Sequence, residues 1–412
     1  MSAAVWVVLA ACILKVCASA FLEYLNLREL KKHSAGVPEA FSSFVDSETF
    51  SKSLRYTEAK TKFGVAEDLF SFAFVAILLV CGAFPYLFGK FIHLFGSGVW
   101  GQAFTLMAIL VLLSVPSLPF EFFEQFSIEQ KFGFNKSSVG LWIVDKVKES
   151  VLSVLLFVPM VALVLFFTEK FEATWWIWGF AANTVFLVVM MVVYPIFIVP
   201  LFNKLQDLPD GELKTALFDL ANRGKFRAKT IQVIDGSRRS SHSNAYFTGF
   251  GKFRRIVLFD TLIEQLDRRE LEAVLAHEIG HYRKGHILKM LATSFTMTFF
   301  AFALIGWIAA SDWFYTQFGF DKSWGIGSVL LMFSLFSGAF TFWFTPISNM
   351  LSRRHEYEAD AFSAELCGGG EPLISALKKL HTKNLGNLTP HPLYSAFHYS
   401  HPTLLERINH VR

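Results

Sequence analysis

His277-Glu278-Ile279-Gly280-His281 sits in a run that is helical on grounds independent of the motif. Asp267 can cap the start of that helix, with Glu270 three residues on in the capping-box position. Leu271, Val274, Leu275 and Ile279 then recur at helical spacing. At 3.6 residues per turn, positions 277 and 281 lie one above the other, so both imidazoles can reach one ion. Glu278 projects beside that pair, close enough to handle the proton of a water on the ion. H-E-x-x-H on a helix is the spacing of zinc-dependent proteolysis. A solvated helix face carrying two histidines and a glutamate would give the same string, so a third ligand has to be found.

Outward from this helix the chain is mostly membrane. Of its 412 residues 53% are hydrophobic, only 17% are charged and 47 are Phe, well to the apolar side of an ordinary soluble protein. Apolar runs occur at Ala3–Leu25, Leu69–Phe88, Gln102–Phe120, Val151–Phe167, Trp175–Ile198, Met290–Ala310 and Trp324–Pro346. Each is close to the ~20 residues that cross a bilayer core as helix, and seven transmembrane helices are expected. Ala18-Ser19-Ala20 imitates a signal-peptidase site. With no basic segment before it, and with the apolar run continuing through Phe21 and Leu22, the first helix is expected to be retained.

Seven spans place alternate connections on one side. One set carries Arg28, Lys31, Lys32, Lys52, Arg55, Lys60, Lys62, Lys131, Lys136, Lys146 and Lys148, together with the motif-bearing segment and Arg353-Arg354. The other holds little beyond Lys90, Lys170 and Lys322. The positive-inside rule therefore puts the metal motif in the cytoplasm. Topology accounts for the net charge of +4, and no nucleic-acid partner is called for. Cys12, Cys17, Cys81 and Cys367 form neither a disulfide framework nor a metal knuckle.

The expected organisation is residues 1–202 as five spans with their loops, 203–286 as a metalloprotease core, 287–349 as two further spans and 350–412 as a tail. The core has a pattern of its own: a helix from Gly211 to Asn222, then strands at Thr230–Ile234, Asn244–Phe247 and Ile256–Phe259. The last two strands flank Gly249-Phe250-Gly251 as a hairpin. The tail is expected to restart as helix over Ser352–Leu366.

A catalytic zinc takes three protein ligands and keeps one open position. The H-E-x-x-H-x-x-G-x-x-H pattern fails, because Lys284 and Ile287 stand where Gly and His are needed. His286 is nine residues from His277, the opposite face of a continuous helix, and is expected as an interfacial or capping residue. The tail offers Glu356-Tyr357-Glu358-Ala359-Asp360 instead. Glu356 and Asp360 share one face, so Glu356 can bind the metal while Asp360 fixes the tautomer of a ligand histidine. Glu358 is turned about 200° away, and His355 is a lesser competitor.

The H-E-I-G-H helix, the downstream E-Y-E-A-D and the seven spans together resemble the type I CAAX prenyl endopeptidases, integral-membrane gluzincin metalloproteases. The resemblance continues through Ile128-Glu129-Gln130-Lys131-Phe132-Gly133-Phe134-Asn135-Lys136, Pro200-Leu201-Phe202-Asn203-Lys204, Asp235-Gly236-Ser237-Arg238-Arg239-Ser240-Ser241-His242-Ser243-Asn244-Ala245-Tyr246-Phe247, Ile256-Val257-Leu258-Phe259-Asp260-Thr261-Leu262 and Ser400-His401-Pro402, so it covers nearly the whole chain. Gln130 departs from it, standing where an acidic residue is expected, as does Glu358, where Gln is common.

The resemblance implies an α-helical membrane protein whose seven helices enclose a chamber, with a small α+β core on the cytoplasmic side. It implies one zinc ion on His277, His281 and Glu356, and Glu278 as the base. His401 and Arg407 become the candidates for stabilising the oxyanion. Asn244, Ala245 and Tyr246 would receive a peptide substrate by strand addition. The expected activity is removal of the last three residues of prenylated C-a-a-X proteins by a monomer in the lipid bilayer. A bacterial inner membrane is the expected site, with the endoplasmic reticulum as its eukaryotic counterpart. Two alternatives stand beside this: quality-control cleavage of membrane proteins, and a transporter with a structural metal. Against the transporter, Glu278 is superfluous for structural zinc and few ionisable residues lie mid-span.

Overall fold

The computed structural model describes residues 1–248 and 254–412; the expected Gly249-Phe250-Gly251 turn lies outside them. Among the described residues seven helices are long and apolar enough to cross a membrane: Ala3–Lys32, Ser47–Val80, Val99–Phe132, Val139–Lys170, Glu172–Phe202, His286–Ala310 and Gly327–Cys367. Each overlaps one expected span. Leu155, Val185, Phe197 and Trp307 are all more than half exposed, as befits faces turned to lipid, while the helical backbone satisfies its own hydrogen bonds.

The helices overrun the apolar runs because hydropathy registers only the part in lipid. The second span starts at Ser47, capped by Asp46, whose Oδ1 accepts from Thr49 N at 2.8 Å. Its polar turns continue the membrane helix without a break. At the other end the run expected to reach Phe88 is cut at Gly82, which adopts φ +66°, and Ala83–Phe95 forms a separate helix with Phe84 and Phe88 fully buried. The seventh span also departs from expectation. Pro346, taken as its end, sits in the first turn of the helix Thr345–Cys367, where the missing N–H costs nothing. The tail does not restart: one run of helix carries Glu356 out of the bilayer.

Between the fifth and sixth spans lies a four-stranded sheet, β1 (Leu205–Asp207), β2 (Thr230–Ile234), β3 (Ala245–Thr248) and β4 (Arg255–Phe259), in the order β1-β2-β4-β3. β2 and β4 are parallel; β1 pairs antiparallel with β2, and β3 antiparallel with β4. Strand β1 escaped the sequence because Leu-Gln-Asp is too short to show a pattern. Ile231, Ile256 and Leu258 pack on Leu217 and Leu220 of the helix Glu212–Arg223, and on Leu271, Leu275 and Ile279 of the motif helix, Arg268–Arg283.

The motif helix has its full capping box: Glu270 N donates to Asp267 Oδ1 at 3.0 Å and Asp267 N to Glu270 Oε2 at 2.9 Å. Glu270 also accepts from Ser375 Oγ at 2.6 Å and Lys379 Nζ at 2.7 Å, tying the motif helix to the helix Glu371–Lys383. Glu270→Ala should therefore cost about 2 kcal/mol through the lost cap and buried acceptor. Thermal unfolding in detergent measures this, and an unchanged midpoint would contradict it.

Candidate metal centre

The motif helix and the helix Thr345–Cys367 cross at their smallest side chains. A Cβ on Gly280 would come 3.0 Å from Ala359 Cα, 3.1 Å from Ala359 O and 3.2 Å from Phe362 Cβ. Any side chain at 280 would press on the backbone of Ala359 and push the helices apart by a few tenths of an ångström. One turn away Ser363 Oγ donates to Ala273 O at 2.7 Å, closing the same seam.

The close crossing brings His277, His281 and Glu356 together. His277 Nε2 lies 3.1 Å from His281 Nε2 and 3.4 Å from Glu356 Oε2, and His281 Nε2 lies 3.3 Å from Glu356 Oε1. One donor atom from each of the three residues lies within 4.8 Å of the others, and the two imidazole nitrogens each meet one oxygen of the same carboxylate, a cluster that can hold one small cation. Glu356 Oε2 is buried and has no hydrogen-bond partner among the described residues. A buried acceptor left without a hydrogen is costly unless a cation takes its place.

Asp360 is fully buried, and its Oδ1 lies 2.7 Å from His277 Nδ1. That bond turns Nε2 toward the shared centre. Arg407 holds Asp360 through a two-pronged fork, Nε to Oδ2 at 2.8 Å and Nη2 to Oδ1 at 2.5 Å. Its Nη2 also comes within 3.4 Å of His277 Nδ1 and 3.9 Å of Glu356 Oε2. His401 Nε2 is 3.5 Å from Glu356 Oε1, with its ring exposed. Burial alone would keep His277 neutral, but its bond to Asp360 and the nearby Glu356 carboxylate outweigh it and push the ring up to about 9.

Glu278 is half-buried between the two histidines, Glu356 and Arg407, and desolvation pushes its carboxyl above the usual range. Ala245 and Tyr246 lie on the edge strand β3, opposite Leu258 and Val257 of β4. Asn244 precedes the strand and is exposed, its Oδ1 accepting from Ala245 N at 2.8 Å.

His286 is not where helix counting put it. The motif helix ends at Arg283, Gly285 turns with φ +68°, and a new helix begins at His286. The broken count swings His286 back, 1% exposed, with Nδ1 3.1 Å from His281 Nδ1. Glu358, turned away from the donors as expected, meets His286 Nε2 at 3.0 Å. His355 stacks on His286 with ring centroids 4.1 Å apart, rather than joining the donors. Glycine at 285 was the available signal.

Residues 26–204 match the family model for the CAAX prenyl protease N-terminal region, five membrane helices, and residues 207–412 match peptidase family M48. The chain belongs to peptidase family M48. Among relatives of this M48 chain, CAAX prenyl protease 1 of Saccharomyces cerevisiae is 38% identical over 94% of it and 91% of the yeast protein. The CAAX prenyl protease 1 homologs of Arabidopsis thaliana and Homo sapiens are 34% and 32% identical. They cover 95% and 93% of this chain, and 94% and 90% of their own lengths. The crystal structure of S. mikatae Ste24p superposes with a TM-score of 0.92 at 35% identity, covering 100% of this chain and 99% of that one. The M48 chain is a multi-pass membrane metallopeptidase.

Two outcomes follow from the geometry. Gly280→Val should wedge the helices apart, costing about 1–3 kcal/mol in overpacking and leaving the purified protein short of stoichiometric metal by elemental analysis; full occupancy would contradict the seam. Because a metal must displace the proton on His277, apparent affinity should rise about tenfold per pH unit up to about pH 9. Chelator competition at several pH values would show a flat profile if that coupling were wrong.

Proposed function

We propose that this chain is a zinc endopeptidase of the endoplasmic reticulum membrane that removes the C-terminal tripeptide from prenylated C-a-a-X proteins. The observation that carries this reading is the trio His277, His281 and Glu356, with one donor atom of each within 4.8 Å of the others, Glu278 next to His277 in the chain, and β3 at the edge of the sheet among the described residues. The yeast, plant and human relatives favour the endoplasmic reticulum over a bacterial inner membrane, and the basic loops favour a cytoplasmic site.

Bound zinc would lower the pKa of a coordinated water and polarise the scissile carbonyl. Glu278 takes a proton from the attacking water and passes it to the leaving amine. Its raised pKa brings it nearer the operating pH, as a general base requires. His401, exposed beside Glu356, faces the carbonyl oxygen as charge develops there, while Arg407 acts from behind the donors by holding Asp360. Asp360 keeps His277 in the tautomer that offers Nε2.

The substrate adds a strand along Asn244-Ala245-Tyr246. Beside that strand an apolar cavity of about 730 Å³ is lined by Leu187, Met190, Tyr194, Tyr246, Phe247 and Leu288, from the fifth span, β3 and the start of the sixth. A prenyl chain partitions into such a space as it does into lipid.

A farnesylated C-a-a-X peptide tests the assignment. The purified wild type should release the tripeptide. Glu278→Gln should lose about 10²–10⁴-fold in rate while keeping its metal, and a chelator should abolish turnover. Equal turnover of the unprenylated peptide would reject the substrate class, and unimpaired turnover by Glu278→Gln would reject the mechanism.

A further inference from the structure

We propose that His286 and Glu358 form a positioning relay for the metal ligand His281, doing through two residues what Asp360 does for His277 through one. The donor geometry assigns every proton. His281 Nε2 faces His277 Nε2 and Glu356 Oε1 at 3.1 and 3.3 Å, so this is the nitrogen that must carry a lone pair toward a cation. The ring proton then belongs on His281 Nδ1, and the group 3.1 Å from it is His286 Nδ1. That nitrogen must accept, which places the His286 proton on Nε2, where Glu358 Oε2 receives it at 3.0 Å. With neutral histidines, this arrangement is the one that satisfies all three contacts.

The relay is built, not incidental. His286 is 1% exposed and is clamped on one face by the His355 ring, 4.1 Å away at an interplanar angle of 15°. Glu358 is held in turn by Arg354, whose Nε donates to Oε1 at 3.2 Å, one helical turn away. Gly285 supplies the left-handed turn that brings His286 into line.

Without a carboxylate at 358, nothing selects the Nε2–H tautomer of His286. Its Nδ1–H form would point a donor at the donor of His281 and turn that ring off axis. Partners in this position are worth about 10–100-fold in metal affinity. Glu358 and Glu356 come from the same helix, so the residue that binds the ion and the residue that orients its neighbour move as one body.

The proposal rests on reading His281 as a metal ligand. That reading fails separately, as a wild type that binds no stoichiometric zinc. The test measures the zinc dissociation constant by chelator competition in wild type, His286→Ala, Glu358→Leu and Glu358→Gln, together with the unfolding midpoint of each metal-free protein. His286→Ala and Glu358→Leu should weaken zinc binding about 10–100-fold. The metal-free midpoint of Glu358→Leu should match that of the wild type, while His286→Ala, which empties a buried site, should lose affinity beyond its loss of stability. Glu358→Gln retains an acceptor oxygen and should stay within about threefold of wild type. A purely structural role would lower the metal-free midpoint of Glu358→Leu in step with its affinity and would not be rescued by glutamine. That result, or affinities of His286→Ala and Glu358→Leu within threefold of wild type, would overturn the relay.

Discussion

The contact between Gly280 and the backbone of Ala359 is what the rest of the site depends on. Two helices that meet at backbone distance can place donors from both within a single coordination sphere, and helices held apart by ordinary side chains cannot. The consequence reaches into the membrane, because Ala359 and Glu356 ride on a helix continuous with the seventh span. The metal centre is thus not a soluble domain tethered to a membrane anchor. Glu356, one of its three candidate donors, is carried by an extension of the bilayer-spanning helix.

The cluster around this contact is electrostatically expensive. Glu356, Asp360 and Arg407 are all taken out of water, and burying ions costs several kcal/mol each before pairing recovers it. The cluster is retained for orientation. Asp360 sits between a guanidinium and an imidazole, each 2.8 Å or less from one of its oxygens, and so has no freedom to turn. A free carboxylate would bind zinc itself; a fully engaged one can only direct the ring beside it.

Much of this was legible in residues close together in the chain. The capping box at Asp267 and Glu270, the i, i+4 histidines, and Glu356 with Asp360 on one face are local periodic facts, and the structure places them as the periodicity requires. Contacts that depend on a break or a distant return were not legible. His286 was assigned to the wrong face because the count ran through Gly285 as though helix continued. The path of the seventh span was missed because Pro346 reads equally as an end or a first turn, and only packing decides between them. The docking of Arg407 on Asp360 joins positions 47 residues apart through a capped C-terminal helix, Leu404–Val411. No periodicity in either segment announces it; only the family resemblance pointed there. That glycine at 280 permits the close crossing follows from Ala359, a partner that becomes a neighbour only in three dimensions.

The exposures of the site residues define the direction from which a substrate can come. His277 is 9% exposed on the Asp360 side, His281 is 19% exposed and His401 is 63% exposed. The centre is therefore closed behind His277 and opens past His281 toward His401. Asp360 and Arg407 fill the opposite side. The two motif histidines accordingly have different surroundings. His277, in the closed wall, is held by a buried carboxylate that no ligand can disturb. His281 is the more exposed of the two, and its outer nitrogen meets His286, a residue set on the next helix. One motif histidine is thus backed by a buried carboxylate and the other by a buried imidazole.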